Sequence, residues 1–239
     1  METTYESNKR TARLAACLFF FVCVPTVSWG PGYILSKIFV PRNPAATVNN
    51  LLSNEFIFRT GIISHLASII AFALMTLLLY KLFRPVEKHL SLMLIIPAML
   101  EVVIVFVLEL FHFSALMIMK GEALINVDTS QKQEMVYLLL RMHQYGIGVG
   151  QLFWGLWLLP FGFLLEKSGF APRVIAILTI AGGVGYVADF SLFVLLQRPN
   201  YLKIVFLVKL PMFIGLGSSM FWLLIKGVQK EKELIKKIE

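Results

Sequence analysis

Charge is scarce in this chain. Of 239 residues, 22 are Lys or Arg and 14 are Asp or Glu, so charged residues make up 15%, against about 25% in a soluble globular protein. Apolar residues reach 58%, where about 45–50% is usual, and mean hydropathy is +0.77. A water-soluble chain of this length has no interior large enough for that much apolar surface. An ordinary cytosolic enzyme, a disordered chain and a nucleic-acid-binding module are thereby excluded. Cysteine is nearly absent. Cys17 and Cys23 stand six positions apart in an apolar stretch, about 240° apart around a helix, so they cannot bridge within it and read as small apolar fillers. Catalytic motifs are missing too. No Gly-x-Ser-x-Gly elbow, P-loop, dinucleotide fingerprint or His-Glu-x-x-His occurs, and neither an internal repeat nor a low-complexity tract is visible.

What is present is one apolar run after another. Six runs, at about 14–39, 60–83, 90–119, 142–165, 172–196 and 204–225, are each long enough to cross a hydrocarbon core of about 30 Å. They lack the alternation of barrel strands, which leaves helices as the way to satisfy the backbone in lipid. The reading is an all-α polytopic membrane protein. It is a single transmembrane helical domain over 1–239, a bundle of six transmembrane helices, with a charged tail at 226–239. The first run is interrupted by Gly30-Pro31-Gly32. Lys9, Arg10 and Arg13 precede it as they would precede a signal peptide, but Trp29-Gly30-Pro31 stands where a small-residue cleavage site belongs, so an uncleaved span is expected.

Positive charge sets the orientation. Lys81, Arg84, Lys88, Lys167 and Arg173 fall in short loops on the side of both termini, which predicts cytoplasmic termini. The longer loops at 40–59 and 120–141 then face outside. The first opens with Pro41-Arg42-Asn43-Pro44, a turn leading into a short interfacial helix.

Ionisable residues inside the membrane are expensive, and they are the functional candidates. The third run carries Glu101, Glu109 and His112 on one stripe. The fourth carries Arg141, Gln144 and Gln151 on one face with His143 on its flank. The second adds His65, the fifth Asp189 and the sixth Lys209. The leading expectation is a non-enzymatic protein with an outward-opening polar cavity. Arg59, Glu109, Arg141, His143, Gln144, Gln151 and Asp189 would line it, and it would bind a small molecule, a lipid headgroup or an ion. Arg141 would meet an anionic group, with Glu109 as counter-charge or proton acceptor. This reading calls for no cofactor and no nucleic acid. Its partners are the bilayer and a small or lipidic ligand, with an oligomer or a larger membrane partner open.

Alternatives stand beside it. Glu109 with Arg141, and Asp189 with Lys209, would serve as ion pairs that fix helix register. His65, His112 and His143, with Glu109 or Asp189 near, would form a zinc site of hydrolytic type. The same histidines would hold a haem if their helices face each other. Glu101 and Glu109, with Pro97 one turn before Glu101, would serve proton-coupled transport.

Several stretches carry a family likeness. They are Trp154-Gly155-Leu156-Trp157-Leu158-Leu159-Pro160-Phe161-Gly162, Lys167-Ser168-Gly169-Phe170-Ala171-Pro172-Arg173, Gly182-Gly183-Val184-Gly185-Tyr186 followed by Asp189, and Val40-Pro41-Arg42-Asn43-Pro44-Ala45-Ala46-Thr47. With these stretches the chain resembles, over nearly its whole length, a bacterial membrane-protein family known as domain of unknown function 4386. The resemblance implies a bacterial multi-pass membrane protein, and the inner membrane is the expected location. It implies no activity.

Overall fold

The computed structural model describes residues 2–196 and 198–228. Among them the secondary structure is helical throughout. Tail residues 229–239 and the Lys209 side chain lie outside the described residues, and the expected Asp189–Lys209 pair with them.

The first span does not end at Gly30-Pro31-Gly32. It runs through α1 (Glu2–Leu18), a wide π-type turn at Phe19–Cys23, α2 (Val24–Val27), a second wide turn at Ser28–Ile34 and α3 (Leu35–Ile38). Each wide turn has a proline at hand. Pro25 follows the first and Pro31 lies inside the second. Proline has no N–H to donate, so the helix widens where the bond is missing instead of breaking. The Ser64 hydroxyl, one span away, donates to the Thr26 carbonyl at 2.5 Å. That bond and the missing side chain at Gly30 press the first span onto its neighbour. A Cβ on Gly30 would meet the Gly61 carbonyl oxygen at 2.6 Å.

The expected interfacial helix is present as α4 (Pro44–Ser53), capped by the Asn43 side chain, which accepts from the Ala46 N–H at 2.9 Å. Then come α5 (Glu55–Phe83), α6 (Lys88–Met119), α7 (Thr129–Ser168), α8 (Arg173–Leu195) and α9 (Arg198–Ile225). Glu87 caps α6, accepting from the Leu90 and His89 N–H groups. These donors, Leu90 foremost, hold its carboxyl below the usual carboxylate range. Gly169, in the left-handed conformation, closes α7.

α7 corrects the sequence reading. The segment 120–141 is expected as an outer loop, yet helix begins at Thr129 and runs 40 residues, about 60 Å at 1.5 Å per residue. Asp128 starts it by accepting from the Ser130 and Gln131 N–H groups. Neither Pro nor Gly stands between Thr129 and Tyr145 to stop it. Its first third therefore extends past the apolar layer.

Five of these helices are long and apolar enough to span a membrane, and Phe213–Ile225 is a shorter apolar one. They form the bundle of about six that the apolar runs call for. Arg13 donates to the Ile225 carbonyl at 3.0 Å, so the beginning of α1 and the end of α9 share one end of the bundle. At that end and through the middle, a core of Phe72, Leu79, Phe83, Leu94, Phe161 and Leu223 surrounds fully buried Trp157, whose indole donates to the Thr76 hydroxyl at 3.1 Å. α7 and α8 close up at glycines: a Cβ on Gly155 would stand 3.0 Å from the Gly183 carbonyl. A second core of Ile34, Leu51, Phe58, Ala115 and Leu140 fills the far end.

Candidate functional site

Glu109 and His112 stand three residues apart on α6, on one face of the helix. α5 brings His65 to that face and α7 brings His143. The three imidazoles close around the Glu109 carboxylate. His65 Nδ1 lies 2.5 Å from Oε1, His143 Nε2 lies 3.1 Å from the same oxygen, and His112 Nδ1 lies 2.8 Å from Oε2. All are buried, with exposures of 6% for His65, 2% for Glu109, 4% for His112 and none for His143. A carboxylate taken out of water needs hydrogen-bond donors or a cation. Here its partners are ring nitrogens of three imidazoles on three helices. The His112 and His143 rings stack at 3.6 Å between centroids, and Phe58 stands edge-on to His112 at 4.9 Å.

Two polar atoms of the cluster have no hydrogen-bond partner, His112 Nε2 and His143 Nδ1. A cavity opens beside them, walled by Gly30, Pro31 and Leu35 of the first span and by Phe58 and Ile62 of α5. Its free volume is about 10 Å³, the room of a single water or ion.

The donor set suits a transition-metal ion. His65, Glu109 and His143 each offer one ligand atom, all within 4.8 Å of one another. In a tetrahedral zinc site with ligands at about 2.0–2.1 Å, neighbouring donors stand about 3.3 Å apart, so small side-chain shifts would admit an ion. His112 on Oε2 then fixes the carboxylate and leaves Oε1 for the metal, the usual work of a residue behind the ligands.

The seven residues expected to line one outward cavity are distributed differently. Glu109 and His143 come together in the cluster. Gln144 lines a neighbouring cleft. Arg59 pairs with Glu55 at 2.8 Å, and Glu55 also takes Lys120 at 3.0 Å, a half-exposed network at the far end. Arg141 lies over the Tyr145 ring at 4.7 Å and donates to its hydroxyl at 2.9 Å. The expected Glu109–Arg141 ion pair is therefore not formed, because the histidines occupy both oxygens of Glu109. Gln151 is half-buried along α7, and Asp189 is fully buried in α8. Glu101, two turns from Glu109, accepts from the Trp154 indole at 3.1 Å, while its Oε2 has no partner.

Sequence reasoning named all three histidines but not the wall against them. Pro31 and Leu35 were invisible as cavity residues, although Gly30-Pro31-Gly32 marked the place. Nothing in the sequence ties Trp154 to Glu101, to which its indole donates.

The chain matches the model of the family described as Domain of unknown function (DUF4386) over residues 14–227, and it belongs to that family. No curated protein and no solved structure matches it.

Proposed function

We propose that this protein is a membrane-embedded metal-binding protein, with His65, Glu109 and His143 as the ligands of one divalent ion and His112 as the residue that holds Glu109 in place. The observation that carries the reading is the closure of three imidazoles from three helices around one buried carboxylate, next to a cavity of one-water size. Nitrogen and oxygen donors without sulfur, in tetrahedral reach, favour zinc. Three protein ligands would leave one position of a four-coordinate ion open, and the cavity adjoins the cluster. An ion there supplies Lewis-acid polarisation of a water or of a ligand oxygen. Ligand binding and metal chemistry are then one site rather than two competing readings. We further place the protein in a bacterial inner membrane with both termini cytoplasmic, a reading supported by the distribution of Lys and Arg.

The test is metal content in purified variants. His65→Ala, His143→Ala and Glu109→Gln each lose the ion, while His89→Ala, an exposed histidine outside the bundle interior, retains it. Equal metal in all four, or none in the parent protein, would refute the site.

A further inference from the structure

The metal cavity has a neighbour. A cleft of about 270 Å³ lies between the second wide turn with α3 and the middle of α7, lined by Pro31, Gly32, Leu35, Phe39, Gln144 and Ile147. Pro31 and Leu35 line both spaces, so these two side chains are the partition. On α7 consecutive residues serve the two: His143 reaches the carboxylate, and Gln144 faces the cleft.

The cleft is apolar, with two polar side chains, Gln144 and Ser36, along it. It opens sideways. Exposed Tyr33 on the first span and exposed Tyr145 and Val149 on α7 stand beside its lining residues, and apolar surface at this depth of a spanning bundle meets acyl chains rather than water. Trp29 stacked on Tyr33, and Tyr137 stacked on Phe39, supply Trp and Tyr, the amphipathic aromatics that collect where chains meet headgroups. Of the partition's two residues Pro31 lies in the wide turn, where it removes a backbone bond, and Leu35 directly follows it, a weak place in a helix and one that tolerates local movement.

From this geometry we infer that the ligand of the metal site is a single-chain amphiphile that enters from the bilayer. Its acyl chain lies in the cleft along Leu35 and Ile147, and its carboxyl, ester or hydroxyl oxygen passes Pro31 to the open position of the ion. The inference rests on the metal reading for its polar end. It rests on the cleft alone for its apolar end.

The probe is a sixteen-carbon fatty acid with a mid-chain diazirine, photolysed in nanodiscs holding the full chain and mapped by peptide mass spectrometry. Labels are expected within 31–39 and 144–147, reduced when the metal is removed by chelation. Ile147→Trp fills the cleft without touching the cluster. It lowers labelling by about tenfold, as overpacking a site does, with metal content unchanged. Labels spread evenly over every lipid-facing helix would overturn the inference while leaving the metal site standing. Selective labels that persist after metal removal would overturn the link between chain and ion. A protein that never holds metal yet labels selectively in the cleft would refute the metal reading and uphold the lateral cleft.

Discussion

His65 Nδ1 and Glu109 Oε1 lie 2.5 Å apart although 44 positions separate them in the chain. Both are buried at mid-helix, one on α5 and one on α6. A carboxylate and an imidazole at that depth are costly unless each serves the other or both serve an ion. His112 and His143 sharing the same carboxylate make it more than a pair that fixes register.

The role given to His112 differs from that of the ligands. His112→Ala is expected to weaken metal affinity by about 10–100-fold, the usual loss when a residue behind the ligands is removed, and to leave a measurable site. His65→Ala and His143→Ala are expected to abolish it. Competition with a chelator of known affinity measures the difference. Equal losses in all three would make His112 a ligand.

Gly30 fixes the wall of the cavity. In Gly30→Ala the new methyl stands 2.6 Å from the Gly61 carbonyl, a backbone atom that cannot rotate away. The first span must move off α5. The expected cost is about 1–3 kcal/mol, in the range of overpacked cores, read as a lower melting temperature in detergent. An unchanged melting temperature would show that the two spans are not in contact there.

Trp157 supports the bundle without touching the cluster. Thr76→Val keeps the shape but leaves the buried indole N–H without its acceptor, at about 1–3 kcal/mol. Stability falls, and metal content below the melting temperature stays at the parent level. A variant that loses metal at full stability would join Thr76 to the site, contrary to the account.

Orientation has a direct chemical readout. With Cys17 and Cys23 changed to Ala, single cysteines are introduced at His89 and at Asn126, both exposed and at opposite ends of α6 and its following turn. A membrane-impermeant maleimide applied to intact bacterial cells labels Asn126→Cys and spares His89→Cys. The reverse pattern would invert the protein.

Much of this fold is legible in the sequence, because a 20-residue apolar run has few other ways to exist. The α4 helix is legible for a similar reason, since Asn43-Pro44 is a strong start signal. α7 was not, because a polar amphipathic beginning such as 129–141 reads as loop when span length is the guide. The first span was legible across Pro31 as one run over 14–39, but its wide turns were not, because a wide turn is settled by neighbours such as Ser64 and not by the residues that form it. The cluster is legible only as a set of costly residues. Its members come from three helices with no fixed spacing, so depth along each helix brings them to one level, but the rotation that turns them toward Glu109 is set by packing. Arg141 shows the limit: it has the right depth and the opposite charge, yet Tyr145, one turn away on its own helix, takes it first.

The function proposed for the cluster requires that the Glu109 carboxylate and its histidines hold an ion. The most direct measurement is X-ray absorption at the zinc edge on the protein purified in mild detergent, with elemental analysis of the same sample. The account predicts about one zinc per chain, with nitrogen and oxygen neighbours at about 2.0–2.1 Å, imidazole scattering, and no sulfur. A metal-free protein, or a sulfur neighbour at about 2.3 Å that implicates Cys17 or Cys23, would contradict it.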